Sequence, residues 1–187
     1  MRKSQYAISK RETGNASGKA KNDATDIALK MGFELSYNPS EYRPIRIIQQ
    51  YLSMHKFKRE SLVFFQYPAV DGRLMAAYVK AKNRNTKSII LVHVLPSIQG
   101  VNSWSVETDI KWLSNFECVI VHNYAMKRYV EGTLKYKGTI VVLELFDYLH
   151  DENKEITTPC RDRSVSFAGN PSKAKFLMQL GDVNTCK

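Results

Sequence analysis

The sequence has few cysteines and no long apolar run. Three cysteines in 187 residues, at positions 118, 160 and 186, form neither a disulfide framework nor a cysteine-based metal pattern. No apolar run approaches the roughly 20 residues that a membrane-spanning helix needs. The basic residues at the start of the chain are not followed by the apolar stretch of a secretory signal. These absences predict a protein of the reducing cytoplasm.

Several motifs that carry chemistry are also missing. The chain has no G-x-G-x-x-G fingerprint, no Walker loop, no H-E-x-x-H pair and no G-x-S-x-G nucleophile elbow. It has no zinc finger, basic zipper or ribonucleoprotein-type aromatic motif. We therefore expect no metal, no resident cofactor and no nucleic-acid partner, and the motifs identify no catalytic residue.

Acidic residues are outnumbered by basic ones. The chain contains 28 Lys and Arg against 18 Asp and Glu, which gives a formal net charge of +10. Such a balance favours an anionic partner: a phosphorylated substrate, an anionic membrane surface or, as the weakest of the three, nucleic acid. The alternative interpretation is a basic surface with no specific partner.

Segments with strand and helix patterns alternate along the chain. Strands are predicted at 5–9, 33–37, 62–66, 88–93, 117–121 and 139–143, and helices at 19–31, 44–55, 72–82, 106–116 and 124–134. In the helix that begins at Pro44, the apolar side is formed by Ile45, Ile48 and Leu52. The alternation predicts an α/β fold with a doubly wound parallel sheet of Rossmann-like type.

The charged stretch 151–163 marks a boundary, because it contains Pro159 and little apolar pattern. We interpret it as a linker that follows a Rossmann-like domain at 1–150. Residues 164–187 have the pattern of a strand, a turn and a helix. This pattern predicts the first elements of a second, truncated Rossmann-like domain.

In open parallel sheets, ligands bind beyond the carboxyl ends of the strands. The small residues at 14–18 would let a ligand approach the backbone, and the helix that follows offers free N–H groups to an anion. A flexible loop with capping residues is the alternative. His93 and His122 each end a strand, where each would hydrogen-bond a sugar hydroxyl or act as a base. The alternative is a structural histidine whose hydrogen bonds are satisfied at the end of the strand. The predicted cleft residues are Gly14, Asn15, Ala16, Ser17, Gly18, Gln66, Tyr67, His93, Ser97, His122 and Asn123.

Six stretches occur in an order that resembles a known family. They are NDATDIALKMGF, LVFFQYP, IILVHVLPSIQG, CVIVHNYAMKRYV, IVVLELFDYL and FAGNPSKAKFL. Together they resemble the amino-terminal, acceptor-side half of bacterial glycosyltransferases with two Rossmann-like domains, the GT-B type. The most similar groups are galactofuranosyltransferase-like enzymes and glucosyltransferases that extend glycans on bacterial surface proteins.

The resemblance implies a reaction and separate residues that contact the acceptor and the donor. A hexosyl group, either galactofuranose or glucose, would pass from a nucleotide sugar to a cell-surface glycan or lipid-linked acceptor at the inner face of the membrane. The family pattern places Ala16 and Ser17 at a sugar-contacting stretch. It places donor contacts at Gly169, Asn170 and Lys173, where a cation would meet the donor phosphates. Association with further copies of the chain is also expected.

Two departures from the family pattern leave the enzymatic role open. The family usually has His-Asp where this chain has His93-Val94, and the second domain stops after about one strand and one helix. The alternative is therefore a non-catalytic module that binds a glycan or is completed by another chain.

Overall fold

Six parallel strands form a single sheet in the computed structural model. It describes residues 2–5, 16–35, 40, 42–54, 57, 60–68, 86–99 and 104–144, all within the first of two units, Met1–Leu149. The strands are β1 (Arg2–Gln5), β2 (Glu34–Leu35), β3 (Ser61–Tyr67), β4 (Lys87–Val92), β5 (Cys118–Val121) and β6 (Thr139–Val142). Their order is β2-β1-β3-β4-β5-β6, and every neighbouring pair is parallel.

Four helices are described beside the sheet, and local sequence explains where they begin and end. They are α1 (Ala16–Lys30), α2 (Arg43–Met54), α3 (Val106–Leu113) and α4 (Tyr124–Gly132). Ser105 and Asn123 cap α3 and α4, since each side chain accepts a hydrogen bond from a backbone N–H of the first turn. Gly32 ends α1 in a left-handed conformation, with φ of 82°, which a residue without a Cβ adopts at little cost.

Helices cover both faces of the sheet. Along β3, Val63 and Phe65 pack into a core with α3 and α4, whereas Phe64 packs with Ala24 and Ala28 of α1. Successive side chains of a strand point to opposite faces, so a strand buried on both faces is apolar throughout. This arrangement confirms the predicted α/β, doubly wound, Rossmann-like fold.

A buried carboxylate organises the face that packs against α3 and α4. Asp109 of α3 has no exposed surface. It accepts hydrogen bonds from the Tyr67 hydroxyl, from the Ser97 hydroxyl and from Trp104 Nε1 at 2.7 Å. The Ser97 hydroxyl also lies 3.1 Å from the hydroxyl of Tyr129. One carboxylate therefore joins the end of β3, the segment after β4, and α3.

Several element boundaries differ from the predictions: α3, for example, ends at Leu113 and not at residue 116, and the starts of β1 and α1 also shift. β1 begins at Arg2, three residues before the predicted start, and residues 6–15 lie outside the described part. α1 begins at Ala16, so residues 16–18 form its first turn and not a loop. The apolar periodicity starts only at Ala24, which is why the pattern places this helix start too late.

The largest difference concerns the apolar side of α2. Three side chains predicted to form that side are exposed: Ile45 at 49%, Ile48 at 59% and Leu52 at 57%. Among the α2 side chains that the structure describes, that of Ser53 is buried, and that of Gln49 accepts a hydrogen bond of 2.8 Å from the backbone N–H of Ser40. Periodicity identifies which side of a helix is apolar, but it does not show what that side contacts.

Some predicted elements lie outside the described residues. They are the helix at 72–82, the linker at 151–163 and the second domain at 164–187. These assignments stay predictions.

Replacing Asp109 with asparagine should lower the free energy of unfolding by about 3 kcal/mol. The amide nitrogen of asparagine is a donor and would take the place of a carboxylate oxygen that now accepts hydrogen bonds, so buried donors would lose their acceptor. Urea denaturation followed by circular dichroism measures the change. The control Glu131→Gln removes an exposed carboxylate from α4 and should leave the midpoint unchanged. A wild-type midpoint for Asp109→Asn would show that the network adds no stability.

Candidate functional site

The strand order points to one position for a ligand. From β1 the chain winds outward to β2, and it then crosses to β3 on the other side of β1 and continues to β6. In doubly wound sheets the ligand crevice lies at the carboxyl ends of the two strands where this reversal occurs. Here those strands are β1 and β3, so the crevice borders the first turns of α1 and the end of β3.

At the carboxyl ends of three adjacent strands, polar side chains lie on the face covered by α1. Gln66 of β3 comes two residues after Phe64, and His93 and His122, one residue beyond β4 and β5, come two residues after Leu91 and Ile120. Because side chains alternate with a period of two, each polar residue continues the row of its apolar predecessor. The rings of His93 and His122 are brought together, with centroids 5.8 Å apart.

A chain of hydrogen bonds joins this cluster to α1. The Gln66 amide nitrogen donates to Thr25 Oγ1 at 2.9 Å and to the backbone oxygen of Lys21 at 3.2 Å. Its oxygen, Oε1, therefore faces His93 Nε2, which lies 2.8 Å away. Since an amide oxygen only accepts, His93 carries its proton on Nε2, and the neutral ring has its lone pair on Nδ1.

Burial controls the charge of the cluster. Burial, followed by the positive charges of Lys21 and His122, lowers the pKa of His93 to about 3. Burial also lowers the pKa of His122 and of Lys21. Lys21 Nζ donates to the backbone oxygen of Pro68 at 3.0 Å. At neutral pH the site therefore presents neutral imidazoles beside one partly desolvated ammonium.

This arrangement suits binding better than proton transfer. A general base works best when its pKa lies near the working pH, and that of His93 lies far below it. Neutral imidazoles and an ammonium instead offer donors and acceptors to a ligand rich in hydroxyl or phosphate groups.

Three of the predicted cleft residues, Gln66, Tyr67 and Ser97, make hydrogen bonds within the domain. Gln66 and Tyr67 belong to β3 and are buried, with the amide held by α1 and the phenol by Asp109. The Ser97 hydroxyl also donates to Asp109. Burial, followed by the effects of Asp109, raises the pKa of the Tyr67 phenol well above its ordinary value. These side chains support the site from inside the domain.

The other predicted site residues fall into two groups. Asn123 is exposed and caps α4, where its side-chain oxygen accepts from Met126 N at 2.8 Å. Ala16, Ser17 and Gly18 lie in α1 at the crevice. Outside the described residues are Gly14, Asn15, Gly169, Asn170 and Lys173.

Lys21 is a site residue that the sequence patterns did not reveal. It lies four residues before Thr25 and seven before Ala28, so all three share the side of α1 that meets the sheet. This spacing could have identified Lys21. A lysine on the side of a helix that packs against the sheet must place its ammonium next to a polar partner.

Two further observations bear on ligands. Among the described residues, no group of three histidine, cysteine or carboxylate side chains is arranged to hold a metal ion. A cavity of about 210 Å³ between α3 and residues 134–138 lies where β5 and β6 begin. That is the amino edge of the sheet, opposite to the crevice.

The comparisons with known proteins give one family. Residues 5–145 match the model of the glucosyltransferase 3-like N-terminal domain. This range includes α1 to α4, β2 to β6, and the cluster formed by Lys21, His93 and His122. The search of curated proteins found no match. The family confirms the glucosyltransferase-like, amino-terminal part of the predicted resemblance.

Acid should destabilise the domain through His93. The unfolded state binds a proton below pH 6.5 and the folded ring only near pH 3, so stability falls as the pH drops through this window. The loss should reach about 2 kcal/mol at about pH 5.

The variant His93→Gln keeps a donor for Gln66 and should remove this part of the acid dependence, as measured by denaturation at several pH values. His122→Gln serves as the comparison and should retain most of the dependence. Parallel pH profiles for wild type and His93→Gln would contradict the assigned shift.

Proposed function

The chain belongs to the family of glucosyltransferase 3-like N-terminal domains, and we propose that it forms the acceptor side of a GT-B glycosyltransferase. The observation that carries this proposal is the family match over residues 5–145. The proposed reaction moves glucose or galactofuranose from a nucleotide sugar to a glycan or lipid-linked acceptor of the cell surface.

In this proposal the cluster at the carboxyl edge binds the acceptor. His93 and His122 are neutral, and their rings would contact sugar hydroxyls. Because Nε2–H of His93 donates to Gln66, the contribution of this ring would come from the acceptor Nδ1. Lys21 adds an ammonium that would pair with a hydroxyl oxygen or with the phosphate of a lipid-linked acceptor. Positioning by such contacts lowers the barrier to transfer without a proton acceptor from this domain.

The proposed donor contacts lie beyond the described residues. Gly169 and Asn170 would approach the nucleotide sugar, and the ammonium of Lys173 would contact its phosphates as a point charge. The nucleotide sugar is a substrate in this scheme, and the proposal includes no metal and no resident cofactor.

A second candidate is a glycan-binding module without transferase activity of its own. Val94 stands where the resembled family usually has an acid, and the low pKa of His93 makes it a weak base. Of the carboxylates near the site, Asp23 pairs with Lys19 at 2.8 Å and Asp109 is fully buried. These observations favour binding over chemistry within this domain.

Acceptor binding should depend on Lys21. The variant Lys21→Met keeps the length of the side chain but removes its charge, so we expect acceptor affinity to fall about tenfold. Lys30→Met removes an exposed lysine from the last turn of the same helix and should bind like wild type. Titration calorimetry with candidate surface glycans measures both, after matching melting curves confirm folding.

An assay with labelled UDP-glucose and UDP-galactofuranose separates the two candidate functions. Sugar incorporation into a bound glycan supports the transferase. Glycan binding without incorporation favours the binding module, and the absence of both contradicts the proposal.

A further inference from the structure

The outward side of α2 is an apolar surface. All of the α2 residues described as exposed are apolar: Pro44, Ile45, Ile47, Ile48, Tyr51 and Leu52. At 100° per residue these positions fall within an arc of about 160°, which makes the surface continuous along the helix. Tyr42, just before the helix, is also exposed.

Two polar side chains of α2 that the structure describes, those of Gln49 and Ser53, do not belong to this surface. Ser53 is buried, and the side chain of Gln49 accepts a hydrogen bond from the backbone of Ser40. A surface helix of a globular domain ordinarily has the opposite polarity, with its apolar side inward. The fold of this domain therefore leaves the apolar side of α2 available to something other than its own core.

The charge of the segment around α2 indicates which partner binds its apolar side. Residues 41–60 contain five basic residues, Arg43, Arg46, Lys56, Lys58 and Arg59. The acidic residues Glu41 and Glu60 lie at the two ends of this stretch, so five positive and two negative charges give it a net charge of +3. A second copy would bring two such segments together, and like charges would repel. An anionic lipid surface attracts them, and an apolar helix side accompanied by basic residues is typical of helices that lie in a membrane interface.

We propose that α2 docks this domain on an anionic lipid surface, with its apolar side at the boundary between headgroups and acyl chains. The helix has 12 residues, fewer than the roughly 20 that cross a bilayer. No helix of the described part is long and apolar enough to span a membrane. The helix therefore lies along the surface. The inference rests on this surface and not on the proposed transferase activity.

Flotation of the full chain with lipid vesicles tests the proposal. Vesicles that contain phosphatidylglycerol should bind the protein at least about tenfold better than pure phosphatidylcholine vesicles, and added salt should weaken the binding. The double variant Ile48→Ser/Leu52→Ser should reduce the binding about tenfold or more, because two apolar side chains are lost from the contact.

The control is Ile98→Ser. Ile98 is exposed to 57%, close to the 59% of Ile48, but it lies after β4 and not on α2. This variant should bind vesicles like wild type. Melting curves verify that each variant is folded, and hydrogen exchange of the wild-type chain should show vesicle-dependent protection in residues 43–54.

Three results would overturn the proposal. The first is equal binding by wild type and the folded double variant, and the second is no binding by wild type. The third is a concentration-dependent dimer, seen by light scattering, that does not bind vesicles and that disappears in the double variant. That result would assign the surface to a second copy of the chain.

Discussion

A carboxylate without solvent exposure needs hydrogen-bond donors around both oxygens, and Asp109 obtains them from three separate segments. Tyr67 comes from the end of β3, Ser97 from the segment after β4, and Trp104 from the residue pair before α3. Loss of any donor would leave part of a buried charge uncompensated. The path of the chain at the carboxyl edge of β3 and β4 therefore depends on this one side chain.

The dipeptide Gln66-Tyr67 extends the same constraint to the other face of the sheet. Consecutive strand residues point in opposite directions, so Tyr67 joins the Asp109 network while Gln66 contacts α1 and His93. The ring orientation and the tautomer of His93 are thus coupled to a strand that is held from both sides. Because of this coupling, the ring of His93 is held by a hydrogen bond to a strand residue and does not depend on a long loop.

The chemistry of the site follows from burial. Burial lowers the pKa of Lys21, of His93 and of His122, and the positive charges of Lys21 and His122 lower that of His93 further than burial alone would. The result is a site with little charge apart from the ammonium of Lys21. A site of this kind suits a polar ligand with many hydroxyl groups, which is consistent with membership in a glucosyltransferase 3-like family.

The sequence by itself determined the class of fold, because apolar runs such as LVFFQ and IILV have the period and length of strands covered on both faces. It also determined that His93 and His122 follow neighbouring strands at one edge, since parallel strands share their carboxyl ends. Only the tertiary structure decided that Tyr67 and Ser97 serve Asp109, because a hydrogen bond between distant segments leaves no local periodicity. The tertiary structure alone also decided that the apolar side of α2 faces outward, since periodicity describes one helix and burial depends on its neighbours.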